Sequence, residues 1–184
     1  MSTINLSSYV VSSRANGPGD RFVLWTQGCS LRCKGCWNGH TWPQESPKAQ
    51  SMSVDTLWDM IQSQSDNIEG VTFSGGEPLE QVRGLMDFAL RIHDSGLSLV
   101  IFTGYYPVEW TVEQRQLVEL ADIVVAGRYI EALRTDGNDM KASSNQEVVF
   151  VSSRYRQEDI ETTVEFWIDE AGNVKVTGFP VDFL

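Results

Sequence analysis

Arg21-Phe22-Val23-Leu24-Trp25-Thr26-Gln27-Gly28-Cys29-Ser30-Leu31-Arg32-Cys33-Lys34-Gly35-Cys36-Trp37-Asn38 joins a short apolar run to a cysteine-rich loop without a break. The run 21–26 predicts a buried strand, so the cysteine loop hangs from a strand's carboxyl end. Cys29, Cys33 and Cys36 are the only cysteines in the chain. Three thiolates in one loop can hold a metal centre yet leave it one ligand short, because a closed iron–sulfur cluster commonly takes four. An odd, tightly clustered set is a poor disulfide framework and suits reduced thiolates in a reducing compartment.

Downstream, strand and helix signals alternate. Val54, Leu57, Trp58 and Ile61 follow a helical period behind Ser53 as cap. Gly70 to Phe73 reads as a strand, Ser74-Gly75-Gly76-Glu77-Pro78 as a tight turn, and Leu79, Val82, Leu85, Met86, Ala89 and Ile92 as a helix stopping near Gly96. Leu97 to Phe102 is the next strand, followed by the turn Thr103-Gly104-Tyr105-Tyr106-Pro107. Thr111 and Gln114 form a capping box for a helix running to about Ala121. Asp122 to Ala126 is a further strand, left through Gly127-Arg128-Tyr129. After about Asp136 the pattern changes to a polar loop through Asn145 and strands at 147–151, 163–169 and 174–177, the last two flanking a hairpin turn at Glu170-Ala171-Gly172-Asn173.

Alternation of this kind argues for a parallel sheet with helical crossovers. A closed eight-unit barrel takes about 250 residues, roughly 30 per unit. The 184 residues here supply at most about six such units. The expectation is an α/β fold, a partial and open (β/α)6-like barrel with a β-rich carboxyl-terminal part, as a single domain over 1–184. Active sites of parallel α/β folds lie at the carboxyl ends of the strands. Those ends carry the cysteines, the Gly-Gly-Glu turn, Thr103-Gly104-Tyr105 and Gly127-Arg128-Tyr129.

Bulk properties narrow the partners. The formal charge of −11 disfavours nucleic acid and anionic membrane surfaces, whose phosphates want a basic face. The longest apolar stretch, Leu97 to Phe102, is far short of the roughly 20 residues that span a bilayer. The polar amino terminus lacks the blocks of a signal peptide, so a cytoplasmic location is expected.

Cys-x3-Cys-x2-Cys, followed about 40 residues later by Gly-Gly-Glu-Pro at a strand end, resembles the radical S-adenosylmethionine enzymes. The resemblance implies a [4Fe-4S] cluster on Cys29, Cys33 and Cys36, with the fourth iron chelated by the methionyl amine and carboxylate of S-adenosyl-L-methionine. It also places the turn Ser74, Gly75, Gly76 and Glu77 against the methionyl amine. Glycines allow close backbone approach, carbonyls accept from an ammonium, and a carboxylate adds opposite charge. Thr26-Gln27-Gly28-Cys29, Cys33-Lys34-Gly35-Cys36-Trp37-Asn38, Thr41-Trp42, Thr103-Gly104-Tyr105, Ser143-Ser144-Asn145-Gln146 and Thr177-Gly178-Phe179-Pro180 carry the resemblance further, to small single-cluster activases of glycyl radical enzymes such as the anaerobic ribonucleotide reductase activases. On that basis Gly35, Trp37 and Thr103 are further cofactor-binding residues, and Arg128 is a candidate for a cofactor carboxylate or a partner contact.

The implied reaction is reductive cleavage of S-adenosylmethionine to a 5′-deoxyadenosyl radical, which takes a hydrogen atom from a partner glycyl radical enzyme or a peptide. The electron would come from a donor such as flavodoxin or ferredoxin. Ala126 departs from the pattern, since an aspartate is expected there, and keeps open direct modification of a peptide or metabolite. Trp37 as core and Gly75-Gly76 as an ordinary turn are the plainer alternatives, as is a surface ion pair for Arg128. His40 gives Cys-x3-Cys-x2-Cys-x3-His, which would suit a non-catalytic zinc or iron–sulfur module. His93 reads as a helix-end residue and the Tyr105-Tyr106 pair as packing.

Overall fold

The computed structural model describes residues 2–63, 67–135, 139–161, 163–168, 170–172 and 174–178. Phe179 and Pro180, Asp169, Asn173 and the start of the polar loop at Asp136 lie outside the described residues. Strand β1 (Thr3–Ser13) leads into β2 (Arg21–Thr26), the predicted apolar run. Then come β3 (Gln50–Ser53), α1 (Val54–Gln62), β4 (Gly70–Gly75), α2 (Val82–Ser95), β5 (Ser98–Thr103), α3 (Val112–Val118), β6 (Ile123–Ala126) and β7 (Glu147–Phe150). A separate hairpin of β8 (Val164–Ile168) and β9 (Val174–Gly178) follows.

One sheet runs in the order β3-β1-β2-β4-β5-β6-β7. Its centre, β2-β4-β5-β6, is parallel, while β1, β3 and β7 join antiparallel. The open α/β sheet and the β-rich carboxyl-terminal part are as expected, and the unit count is refined: four parallel strands stand where up to six strand–helix units were allowed. β1 and β3 escaped the sequence reading. β3 is a polar edge strand with no apolar signal, and β1 buries only Ile4 and Leu6 at its start and Ser13 at its end.

Strand alternation divides the core into two. Leu99, Ile101 and Val124 face a layer containing Leu57, Ile61, Leu85, Phe88, Ile92 and Leu117 from the helices. Val100, Ile123 and Val125 face the other way, onto Met140 and Tyr155. All three helices therefore cover one face, which leaves the other face for the site. Ala126 is fully buried within the helix-side cluster, so the position where aspartate was expected is a packing position.

The caps read from sequence are present. Ser53 Oγ accepts from Thr56 N–H at 3.1 Å, Gly96 ends α2 at φ 79°, and Thr111 with Gln114 forms a capping box. Leu79 is not the first turn of α2, however. A one-turn 3-10 segment (Pro78–Glu80) precedes it, and Gln81 breaks the helix at φ −116°. The cause is a grip by the Gln81 side chain: Nε2 donates to the carbonyls of Asn5 and Gln27 at 2.9 Å each, and Oε1 accepts from Asn5 N–H at 2.8 Å. α2 is thereby tied to the ends of β1 and β2.

At the opposite end of the strands Arg21 is fully buried. Its guanidinium donates to Thr72 Oγ1, to Ser98 Oγ, and to the carbonyls of Pro18, Val71 and Ser98, all within 3.1 Å. Five bonds match the five donors that the group carries.

Candidate functional site

Parallel register brings the ends of the strands level. Thr26 pairs with Gly75 across β2–β4, and Thr103 pairs with Ala126 across β5–β6. The pairing continues past β2, since Gly76 N–H donates to Thr26 O and Glu77 N–H to Gly28 O, each at 2.8 Å. Gly28 N–H then bonds Thr41 O at 2.7 Å, and Cys29 N–H bonds Trp42 O at 3.1 Å. The cysteine loop is thus stitched to the Gly-Gly-Glu turn on one side and closed on itself at 41–42.

Within the loop Cys29 is buried, Cys33 and Cys36 are half-buried, and none is in a disulfide. Burial pushes the Cys29 thiol up, while the backbone N–H groups of Arg32 and Leu31 oppose it. Burial likewise raises Cys36, against the N–H of Asn38 and the Trp42 side chain. Arg32 adopts the left-handed φ of 46° that few non-glycine residues take. Successive N–H groups aimed at a sulfur make a nest for negative charge, which favours a metal-bound thiolate.

The three cysteines line one cavity of about 640 Å3 with Trp37, Ser74, Gly75, Gly76, Glu77 and Thr103. Nine of the eleven residues singled out in the sequence are therefore brought together there: the three cysteines, Trp37, the four turn residues and Thr103. Gly35 and Arg128 are not in the lining. Gly35, at φ 73°, lies against the Glu131 side chain, so its conformation serves the turn of the loop. Arg128 makes two bonds to the Glu109 carboxylate at 2.6 and 2.8 Å, and its guanidinium sits 5.9 Å from the ring centres of Tyr105 and Tyr106. That pairing holds the exposed Glu109 carboxyl down at about 2, and it forms the ion pair that the sequence offered as the plainer alternative for Arg128.

Glu77 has bonds within the protein that the sequence did not show. It lines the cavity, but Oε1 accepts from Thr103 Oγ1 at 2.7 Å and Leu79 N–H at 2.9 Å, and Oε2 accepts from Gly104 N–H at 2.7 Å. Its carboxylate joins the end of β4 to the end of β5 at the wall of the cavity. Burial pushes its carboxyl up to about 7 from 4.5, against the bonds from Gly104, Thr103 and Leu79. A carboxyl raised in the folded state binds its proton more tightly there than in the unfolded chain. Its contribution to stability is then full below about pH 4.5 and lost as pH rises through about 7. Over that window the cluster-free chain is expected to lose on the order of 3 kcal/mol more than a Glu77→Gln variant, as read by urea unfolding. Equal slopes in the two proteins would refute it.

Sequence reasoning missed Trp25, Ser8 and Asn16 as lining residues, took Trp42, Gln146 and Thr177 only as marks of resemblance, and read Tyr129 only as part of a strand-end loop. Trp25 was hidden inside an apolar run, and only the alternation of β2, with Phe22 and Leu24 on the helix side, shows that it faces the cavity. The motif at 143–146 holds the rim. Gln146 Nε2 donates to Gly127 O, and Asn145 Nδ2 donates to Tyr106 Oη and to Arg128 O. His40 lines the cavity, yet among the described residues no three His, Cys, Asp or Glu side chains are arranged to share one metal ion. His93 is exposed at the end of α2, with its carbonyl bonded to Gly96 N–H.

Comparison with known proteins agrees with this geometry. Residues 15–149 match the family model described as a 4Fe-4S single cluster domain. The anaerobic ribonucleoside-triphosphate reductase-activating protein of Salmonella typhimurium is 32% identical over 139 residues, covering 72% of this chain and 90% of that protein. That of Escherichia coli K12 is 30% identical over 151 residues, covering 79% and 97%. QueE from Escherichia coli shares the fold at a TM-score of 0.50 and 20% identity, over 65% of this chain and 68% of that one. The family match and the activase relatives make this a radical S-adenosylmethionine enzyme of the single-cluster kind, with a [4Fe-4S] cluster and S-adenosylmethionine as cofactors. The chain belongs to the family of anaerobic ribonucleoside-triphosphate reductase-activating proteins.

The residues present fit those cofactors. Three unpaired thiols share one cavity, backbone N–H groups point at two of the sulfurs, and 640 Å3 lies within the range of pockets that enclose a nucleoside-sized ligand. No helix among the described residues is long and apolar enough to cross a membrane.

Proposed function

We propose that this chain activates a partner glycyl radical enzyme by abstracting a hydrogen atom from its polypeptide. The observation that carries this reading is that the cysteine loop and the Gly-Gly-Glu turn share one cavity at neighbouring strand ends. When bound, a reduced [4Fe-4S] cluster and S-adenosylmethionine supply one electron and a sulfonium whose cleavage yields a 5′-deoxyadenosyl radical.

The chain's own residues hold and shield these groups. Cys29, Cys33 and Cys36 ligate the cluster. Ser74, Gly75 and Gly76 present backbone to the methionyl amine, while Glu77 braces that turn from behind through Thr103 and Gly104. Trp37 and Thr103 form part of the wall. Gly35 shapes the loop, and Arg128, outside the lining, serves the rim where a partner would meet it. A protein such as flavodoxin or ferredoxin provides the electron. The charge of −11 speaks against nucleic acid and membrane as partners, and the reduced cysteines suit the cytoplasm. Ala126, where an aspartate was expected, is packed on the helix side, and direct modification of a peptide or metabolite stays as the alternative reading.

Anaerobic loading with iron and sulfide, followed by electron paramagnetic resonance, tests the reading. The cluster signal is expected to change on adding S-adenosylmethionine, and a glycyl signal to appear when a candidate glycyl radical enzyme is included. A well-loaded sample whose spectrum ignores S-adenosylmethionine sinks the proposal. 5′-Deoxyadenosine formation without any glycyl signal would point to direct modification of a peptide or metabolite. Alanine at any one of the three cysteines is expected to cut bound iron at least about tenfold, whereas His40→Ala keeps it. One zinc per chain that is lost with His40→Ala would instead establish a zinc module.

A further inference from the structure

Glu80, in the 3-10 segment behind the Gly-Gly-Glu turn, has no role in the reading above. Its carboxylate is nevertheless spent on the cysteine loop. Oε1 accepts from Ser30 N–H at 3.0 Å and from Ser30 Oγ at 2.5 Å, and Oε2 lies 3.3 Å from the same N–H. Tyr105 Oη donates to Oε1 at 3.2 Å. Ser30 directly follows the buried ligand Cys29, and Tyr105 directly follows Gly104, which Glu77 holds. Three elements of the site therefore meet on one side chain: the cysteine loop, the segment after β4 and the turn after β5.

Two physical consequences follow. Bonds to both the backbone and the hydroxyl of Ser30 restrict the first turn of the loop and so the position of the Cys29 sulfur. The carboxylate is also held at the residue next to that cysteine, by its bonds to Ser30 N–H and Oγ. Adding an electron to a cluster beside a fixed negative charge is harder than adding one in its absence, because charge and hydrogen bonding around the sulfurs set the potential. A strongly reducing centre is what cleavage of a sulfonium requires.

We propose that Glu80 is a positioning residue for the cluster loop, and that its negative charge holds the [4Fe-4S] centre at a lower reduction potential than the loop would otherwise give. This rests on the cluster reading above. The test is a dithionite titration of anaerobically loaded protein, watched by electron paramagnetic resonance, with iron and sulfide counted in parallel. Glu80→Gln keeps an oxygen for Ser30 N–H and removes the charge. It is expected to load iron as wild type does and to be reduced at a less negative potential. Glu80→Asp keeps the charge and is expected to stay at the wild-type potential, and Glu80→Ala to load less than half the wild-type iron. Loaded Glu80→Gln at the wild-type potential, or Glu80→Asp shifted as far as Glu80→Gln, overturns the assignment whatever the alanine variant does. A wild-type chain that takes up no iron overturns the cluster reading itself.

Discussion

Gly75→Ala is expected to cost about 3 kcal/mol or more of stability and to abolish cluster loading. Gly75 sits at φ 104°, where side chains are strained. A Cβ added there would lie 2.4 Å from Thr26 N and 2.5 Å from Trp25 Cα. Both contacts are backbone atoms of β2, so no rotamer change relieves them, and β4 has to part from β2. The parting falls where Gly76 and Glu77 donate to Thr26 and Gly28, which are the bonds that seat the cysteine loop. Gly96→Ala is the matching control. Gly96 has φ 79° but nothing within 4 Å of its added Cβ, so this change is expected to cost only about 1 kcal/mol and to leave iron content intact. Urea unfolding with iron analysis reads both. A Gly75→Ala protein that behaves like Gly96→Ala would refute the close-approach account.

Arg21→Met should be comparably damaging, about 3–5 kcal/mol, for a different reason. Methionine fills much of the volume but donates no hydrogen bonds. Thr72 Oγ1 and three carbonyls lose the guanidinium as donor in the interior, Ser98 Oγ keeping only Tyr155 Oη, and each buried acceptor left alone costs about 1–3 kcal/mol before relaxation. Burial pushes the guanidinium down from its ordinary value, with Tyr155 and Glu69 opposing, which marks the site as one that only a well-bonded cation can occupy. Arg21→Lys keeps the charge but has three donors in place of five, so it falls between wild type and Arg21→Met. Thermal unfolding is expected to drop by roughly 10 °C or more for Arg21→Met. A midpoint within about 2 °C of wild type would remove Arg21 from the list of residues holding the strands together.

Legibility of the sequence varied with the kind of signal. The parallel strands announced themselves because both of their faces are buried, which writes near-continuous apolar runs such as Val23-Leu24-Trp25. Helix caps at Ser53, Gly96 and Thr111 were readable because each is a local bond or a local backbone need. β1 and β3 were not, since a strand paired at the margin of a sheet needs few apolar residues. The cysteine triplet and the Gly-Gly-Glu turn were legible as motifs, yet their division of labour was not. Glu77 read as a charge for the ligand, and its bonds to Thr103 and Gly104 were not visible. Arg128 read as a contact for a cofactor carboxylate or a partner, or as a surface ion pair, and is paired with Glu109. Both answers depend on residues 26 and 19 positions away in the chain, in loops that only the sheet order makes neighbours.

Arg21 and the cysteines occupy opposite ends of the same short strands. Five residues of β2, Phe22 to Thr26, separate the buried cation from the start of the reactive loop, a span of about 20 Å. Changes at sites so far apart, with no partner in common, act nearly independently on the free energy. The rim can therefore accumulate substitutions that redirect the enzyme toward a new partner while the amino-terminal anchor keeps the chain folded. A family built this way can diversify its targets without inventing its scaffold again.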